Sequence, residues 1–436
     1  MAKTVDRHKP ARRYATATLW TGLIATALLL GVLVELACLT ILYAVDSSDE
    51  ANREAFAQTH LLTKPFVSAP RNPAPGKRFL GTLGSIDARW AKAEVADDLL
   101  GWRLAPNVAF FYAPVPPSRY LFSTDEYGFV AGVDDPPVEL PKPTNTYRVI
   151  IFGGSTVWGT GAPRPSQNIV GMLRKEARER GLVGPNAERV EFINAGVLGY
   201  NSAQEYLYLV SDLLRFKPDL IVAYDGVNDS EYDLSDSPSP FRTKTHREMQ
   251  RRIERSHTIS GSFFLVAQNI KNFFTSGDFK LAAIELPWRI LNRAKHDEDI
   301  PLVPFDPRAV ELYGINRRAF LALAGNQLSV ALFLQPLVTV DDRDLAPAEK
   351  ASWWYPKLDH PLIRNRVPFY EGARRILADL IANTPDNTHR CIADLSHSLK
   401  GASEPVYADS MHLLPRGNEI VAAHMLDQFV RCGFLR

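Results

Sequence analysis

Ser155 lies in the run Arg148-Val-Ile-Ile-Phe-Gly-Gly-Ser155-Thr156, an apolar stretch ending in two glycines and a hydroxyl. Far along the chain, Asp409-Ser-Met-His412 precedes the last helical pattern. A serine hydroxyl is a weak nucleophile until a neighbouring base takes its proton, and an imidazole oriented by a carboxylate is the usual base. The chemistry that these three side chains support is acyl transfer through serine, with His412 as base and acid and Asp409 holding its tautomer. Taken alone, Asp409 also reads as a cap of the final helix and His412 as a surface residue, one of ten histidines.

The surroundings of the serine narrow the choice. A strained strand-to-helix elbow needs glycine two residues on either side of the nucleophile. Gly153 fits that rule and Val157 breaks it. Two further runs stand between serine and histidine: Asn194-Ala-Gly-Val-Leu-Gly199-Tyr-Asn, after the strand-like 190–193, and Gly226-Val-Asn228-Asp229, after the strand-like 219–224. Gly-Gly-Ser155-Thr, Asn-Ala-Gly-Val-Leu-Gly199, Gly226-Val-Asn228-Asp and Asp409-x-x-His412, in that order, resemble the four blocks of the SGNH (GDSL-type) hydrolases. The resemblance covers roughly residues 100 to 433 and is thin between the third and fourth blocks. It departs at Gly154, where the first block of the family usually carries Asp.

The resemblance implies a serine esterase with Ser155, Asp409 and His412 as catalytic residues. It further implies an oxyanion hole made by the amides of Ser155 and Gly199 and the side chain of Asn228, with no cofactor. Charge that develops on a carbonyl oxygen needs donors already in place. Gly199 suits that task because the absence of Cβ lets a substrate approach the backbone. Gly196, in the same block, is the other donor that the run allows. Plain turns after strands, or Asn228 capping a helix, are the non-catalytic readings of these positions.

Composition excludes other classes. The net charge of +1 comes without a basic run interleaved with aromatics, so nucleic acid is set aside. A hydrophobic fraction of 46% with 23% charged residues is that of a globular chain able to bury a core. At 436 residues, one large α/β domain with appendages is the economical expectation. No Cys/His or carboxylate cluster has metal-ligand spacing, and no phosphate-cradling loop or dinucleotide fingerprint is present. Asp225, Asp229 and Asp233 invite a cation, but their spacing fits a solvated loop as well.

Residues 19–45 are apolar except for a few threonines and Glu35, and as a helix they would reach about 40 Å, more than the hydrocarbon core of a bilayer. Their 14 Leu, Ile and Val residues outweigh the cost of one central acid. Lys3, Arg7, Lys9, Arg12 and Arg13 precede the segment, while Asp46, Asp49 and Glu50 follow it. The positive-inside rule then predicts a single-pass inner-membrane protein with a cytoplasmic N-terminus and an extracytoplasmic or periplasmic catalytic domain. A cleaved signal peptide is the rival, with a usually shorter apolar region. Glu35 and the apolar run beyond Cys38 argue against lipidation. Outside the cytoplasm, Cys391 and Cys432 are candidates for a disulfide.

The expected organisation is a cytoplasmic tail (1–18), a transmembrane helix (19–45), a proline-rich stalk and wrap (46–99), a small strand-rich collar (100–146) and an SGNH domain (147–433). Strand-like runs at 148–152, 190–193, 219–224, 329–335 and 390–394 alternate with helical patterns, which predicts parallel βαβ units. With the resemblance, the expected fold is a three-layer flavodoxin-like α/β domain on a mainly parallel five-stranded sheet. Ser202-Ala-Gln-Glu205 reads as a capping box, followed by Tyr206, Leu209, Val210, Leu213 and Leu214 at helical spacing. An insertion is expected at about 230–310, whose segments 242–255, 263–266 and 270–274 read either as a solvated helix followed by one packed on the core or as a lid or membrane-surface helix beside the active site.

The expected activity is cleavage of an O-acyl ester, acetyl above all, on an envelope glycan or lipid. An O-acyltransferase using the same serine and an inactive glycan-binding scaffold are the alternatives. Partners beyond the acylated substrate and the membrane are left open.

Overall fold

The computed structural model describes residues 93–112, 120–132, 135–231, 305–352, 354–359, 361–384 and 389–436, with scattered residues between 26 and 40. The chain forms two units: Met1–Pro73 with Val266–Asp299, and Ala74–Leu265 with Ile300–Arg436. In the first unit, the described residues between 26 and 40 are helical, and Leu29, Leu30, Leu33 and Val34 are exposed. Among the described residues no helix is long and apolar enough to cross a membrane. Most of the expected span 19–45, and the expected insertion from 232 to 304, lie outside the described residues.

The second unit is built on strands β5 (Thr146–Phe152), β6 (Arg189–Asn194), β7 (Leu220–Asp225), β8 (Ser329–Leu334) and β9 (Arg390–Asp394). They pair in parallel in the order β6-β5-β7-β8-β9. Each coincides within two residues with an apolar run expected to be a strand. Such runs are continuous rather than alternating because both faces of the sheet are covered. Val149 and Ile151 of β5 point into one core and Ile150 and Phe152 into the other.

Helices α2 (Ile169–Glu179) and α6 (Pro415–Arg431) cover the first face, burying Ile169, Leu173, Met425 and Phe429. Helices α3 (Ser202–Ser211), α4 (Arg308–Ala322) and α5 (Arg366–Ala382) cover the second, with Leu209, Phe320 and Phe369 inward. Each fully buried Phe or Leu contributes roughly 1.5–3 kcal/mol by leaving water. The result is three layers, and the strand order is that of a flavodoxin-like sheet. Cys391 in β9 and Cys432, just after α6, are joined by a disulfide that ties the last helix to the edge strand.

Two antiparallel pairs precede the sheet: β1 (Glu94–Asp97) with β2 (Gly101–Leu104), and β3 (Ala109–Tyr112) with β4 (Tyr120–Ser123). Strand β1 falls within 46–99, which the sequence reads as irregular. Its Glu-Val-Ala-Asp has little strand character, and pairing makes it one: Asp97 Oδ1 accepts the amides of Leu99 and Leu100 and turns the chain back on itself. The pairs pack against the sheet unit through Phe122 stacked on Trp158 and through the amide of Val130 on the carbonyl of Asn194.

The start of α3 differs from the expected capping box. Asn201 is the cap, its Oδ1 accepting the amides of Ala203 and Gln204. Ser202 donates instead to Asp229, and Glu205 is fully buried. Of the residues read at helical spacing, Leu209 and Leu213 are buried, whereas Val210 and Leu214 are exposed.

Candidate active site

Register decides which loops meet. Ile151 is level with Asn194 on one side and Val222 on the other, so β5, β6 and β7 end at one edge of the sheet. Order reverses between β5 and β7, and open α/β sheets bind ligands outside the carboxyl ends of strands at such a switch point. Ser155 opens α1 (Ser155–Trp158) immediately after β5, Gly199 lies in the loop after β6, and Asn228 begins a short 3-10 turn after β7. Asp409 and His412 lie in the loop before α6, which starts at Pro415, so Asp409 does not cap that helix.

These residues meet. His412 Nε2 is 2.7 Å from Ser155 Oγ, and His412 Nδ1 is 2.6 Å from Asp409 Oδ2. Asp409 Oδ1 accepts the backbone amides of Met411 and His412, each at 2.9 Å, which locks the carboxylate against its histidine. Burial alone would raise the Asp409 carboxyl. Attraction to the His412 ring, the hydrogen bond from that ring and the two amides outweigh burial and hold it at about 2. An ionised carboxylate only accepts, so Nδ1 must carry the proton. In the neutral ring Nε2 is then an acceptor, and Ser155 Oγ–H donates to it.

The neighbouring loops are latched to one another. Asn228 Nδ2 donates to the carbonyl of Tyr200 at 2.7 Å, so its amide is a side-chain contact across the site rather than a helix cap. Asp229 accepts from both the backbone amide and the hydroxyl of Ser202. Gly199 has φ +77°, a left-handed backbone that favours glycine. Gly196 differs: its amide is already donated to Asn194 Oδ1 at 3.0 Å. Trp102 Nε1 donates to the carbonyl of Leu198, and the hydroxyl of Tyr200 donates to the carbonyl of Trp102, so the first hairpin grips the loop on both sides of Gly199.

Asp225 and Asp229 do not lie in a solvated loop. Both are buried, and Asp225 lies 2.6 Å from the buried guanidinium of Arg317, with Glu205 at 3.8 Å from the same group. Burial raises the Glu205 carboxyl strongly and pushes Asp229 up to about 7, the nearby Asp225 adding to both. Asp233 lies outside the described residues, and among those described no group of His, Cys, Asp and Glu could hold a metal ion. Sequence reasoning missed two residues here: Arg317, for which no local pattern announces burial, and Gln335, whose Oε1 is 3.3 Å from the hydroxyl of Thr156 beside the serine.

No family model matches the chain, and no curated protein matches it. Among solved structures it is similar to an acetyl xylan esterase, AlAXEase, at 14% identity over 64% of this chain and 98% of that one, with a TM-score of 0.34. It is similar to a lipase/acylhydrolase from Enterococcus faecalis at 17% identity over 66% and 97%, with a TM-score of 0.31. An acetyl xylan esterase from Geobacillus stearothermophilus is similar at 13% identity over 66% and 95%, with a TM-score of 0.33.

Proposed function

We propose that the protein is a membrane-anchored serine esterase of SGNH type that cleaves O-acyl esters, acetyl above all, on an envelope glycan or lipid. The observation that carries this is the continuous hydrogen-bonded chain from Asp409 through His412 to Ser155. Ser155 Oγ attacks the acyl carbon while His412 Nε2 takes its proton. Asp409 keeps the ring in the tautomer that makes Nε2 basic and stabilises the imidazolium that forms. The carbonyl oxygen, now negative, is received by the amides of Ser155 and Gly199 and by Asn228 Nδ2. His412 then returns the proton to the departing alcohol, leaving acyl-Ser155. A second nucleophile, deprotonated by the same imidazole, releases the acyl group and restores the serine.

An anchor at residues 19–45 is supported by the exposed leucines and valines of the helical residues between 26 and 40. The Cys391–Cys432 disulfide supports an oxidising, extracytoplasmic setting for the catalytic unit. Confinement to an envelope surface favours a substrate fixed there, a glycan or lipid acyl ester, over a diffusing metabolite.

The test is incubation of the detergent-solubilised full chain with 4-nitrophenyl acetate, with and without an oligosaccharide acceptor. The proposal expects acetate release that depends on Ser155. Acetylated sugar appearing only with intact Ser155 would make the protein an O-acyltransferase instead. Absence of both products in a protein that retains its fold would leave a glycan-binding scaffold.

A further inference from the structure

Arg366 opens α5 on the far side of the sheet from α2 and α6, yet its side chain reaches the edge where the site lies. It is 7% exposed. Its Nη2 donates to Glu231 Oε1 at 2.8 Å, and its Nη1 donates to Ser410 Oγ at 3.2 Å. Glu231 ends the 3-10 turn that begins at Asn228, and Ser410 lies between Asp409 and His412. One guanidinium therefore holds the turn that presents the Asn228 amide and the turn that presents the acid–base pair.

We propose that Arg366 is a positioning residue that sets the separation between the Asn228 side and the His412 side of the site; this rests on the esterase reading above. The two turns come from segments nearly two hundred residues apart, with no strand pairing between them to fix their distance. Acyl transfer needs the base and the oxyanion donors registered on the same tetrahedral carbon, and a misplacement of about 1 Å costs on the order of a hundredfold in rate. A rigid planar fork with donors on two nitrogens can fix such a distance, whereas an ammonium offers its three donors from a single nitrogen on a flexible stem and holds two partners less rigidly. The contact to Ser410 acts on the backbone that Asp409 and His412 share. The contact to Glu231 acts on the turn beginning at Asn228, whose side chain is latched to Tyr200. Arg366 touches neither nucleophile nor base in these contacts, so its effect belongs to kcat rather than to ground-state binding.

The test uses the full chain in detergent with 4-nitrophenyl acetate, comparing R366M, R366K, S410A and the double variant R366M/S410A. The proposal expects R366M to lower kcat on the order of a hundredfold with KM changed by less than about threefold. R366K should recover only a small part of that loss. S410A should lower kcat about tenfold with an unchanged thermal midpoint, and the double variant should be no slower than R366M alone, because both remove the same contact. Wild-type kcat in S410A, or losses that multiply in the double variant, would overturn the proposal, and S410A decides it should R366M fail to fold. Wild-type protein that reacts with neither this ester nor a fluorophosphonate overturns the esterase reading itself. A reactive wild type with an unaffected R366M overturns the brace alone.

Discussion

Gly154 and Asn228 share a space that only a glycine leaves open: a Cβ built on Gly154 would overlap Asn228 Nδ2 and stand 3.2 Å from the carbonyl of Tyr200. The residue before the nucleophile is thus packed against the amide proposed to receive the oxyanion. Aspartate, usual in the family that the motifs resemble, could not enter here without moving Asn228.

From that contact, G154A should displace Asn228 while leaving the sheet intact. Loss of one oxyanion donor costs on the order of a hundredfold or more in kcat. Steady-state rates on 4-nitrophenyl acetate, with the thermal midpoint as control, check this. A variant as fast as wild type would mean that the Asn228 amide does not serve the reaction.

Asp409 makes a pH-dependent contribution. Its carboxyl ordinarily titrates at 3.8 and is held at about 2 here. A depressed value stabilises the fold above 3.8 and loses that effect as pH falls through about 2. The lowering corresponds to roughly 2 kcal/mol. D409N should therefore be less stable than wild type near neutrality, with the gap closing toward about pH 2, as urea midpoints across pH would record. The same variant should lose about 10⁴-fold in kcat, because an amide no longer enforces the Nδ1–H tautomer.

Glu205 and Asp229, buried near Arg317, titrate in the opposite sense. Asp229 is raised to about 7, so the stability tied to its proton is present below 3.8 and is lost as pH rises through about 7. Removing the cation by R317M leaves Glu205 and Asp225 without their counter-ion, at a cost of roughly 3–5 kcal/mol. The destabilisation should be larger at about pH 8 than at about pH 5, where protonation relieves it. Urea unfolding at the two pH values measures the difference, and an equal loss at both would contradict the charge assignment.

The disulfide closes a separation of 41 residues between Cys391 and Cys432. Constraint of the unfolded chain over such a loop stabilises by about 2–4 kcal/mol. C432S, or reduction of the wild type, should lower the urea midpoint accordingly while leaving the rate on a small ester unchanged, since the bond lies at the sheet edge away from Ser155. Loss of activity without loss of stability would argue against this assignment.

The strands and the meeting of Ser155, His412 and Asp409 were legible in the sequence for different reasons. A strand buried on both faces must be a short apolar run, as in 148–152 and 329–335, so length and hydropathy suffice. Ser155, Asp409, His412 and Asn228 each sit beside a strand end or a helix start, where motif and fold coincide. Polar residues buried by tertiary packing were not legible. Glu205 reads as the partner in a capping box, yet it is fully buried beside Arg317. Asp225 and Asp229 read as a solvated loop, because nothing local announces the arginine that α4 brings to them. Strand β1 shows the same limit, since Glu94–Asp97 becomes a strand only through its partner.

The most direct test of the account is the mass of the intact protein, and of its peptides, after brief reaction with 4-nitrophenyl acetate and an acid quench. The account predicts one acetyl group on Ser155, abolished in S155A and reduced in H412A. An unmodified Ser155 in folded protein, or acetyl on other residues at the same rate in S155A, would contradict it.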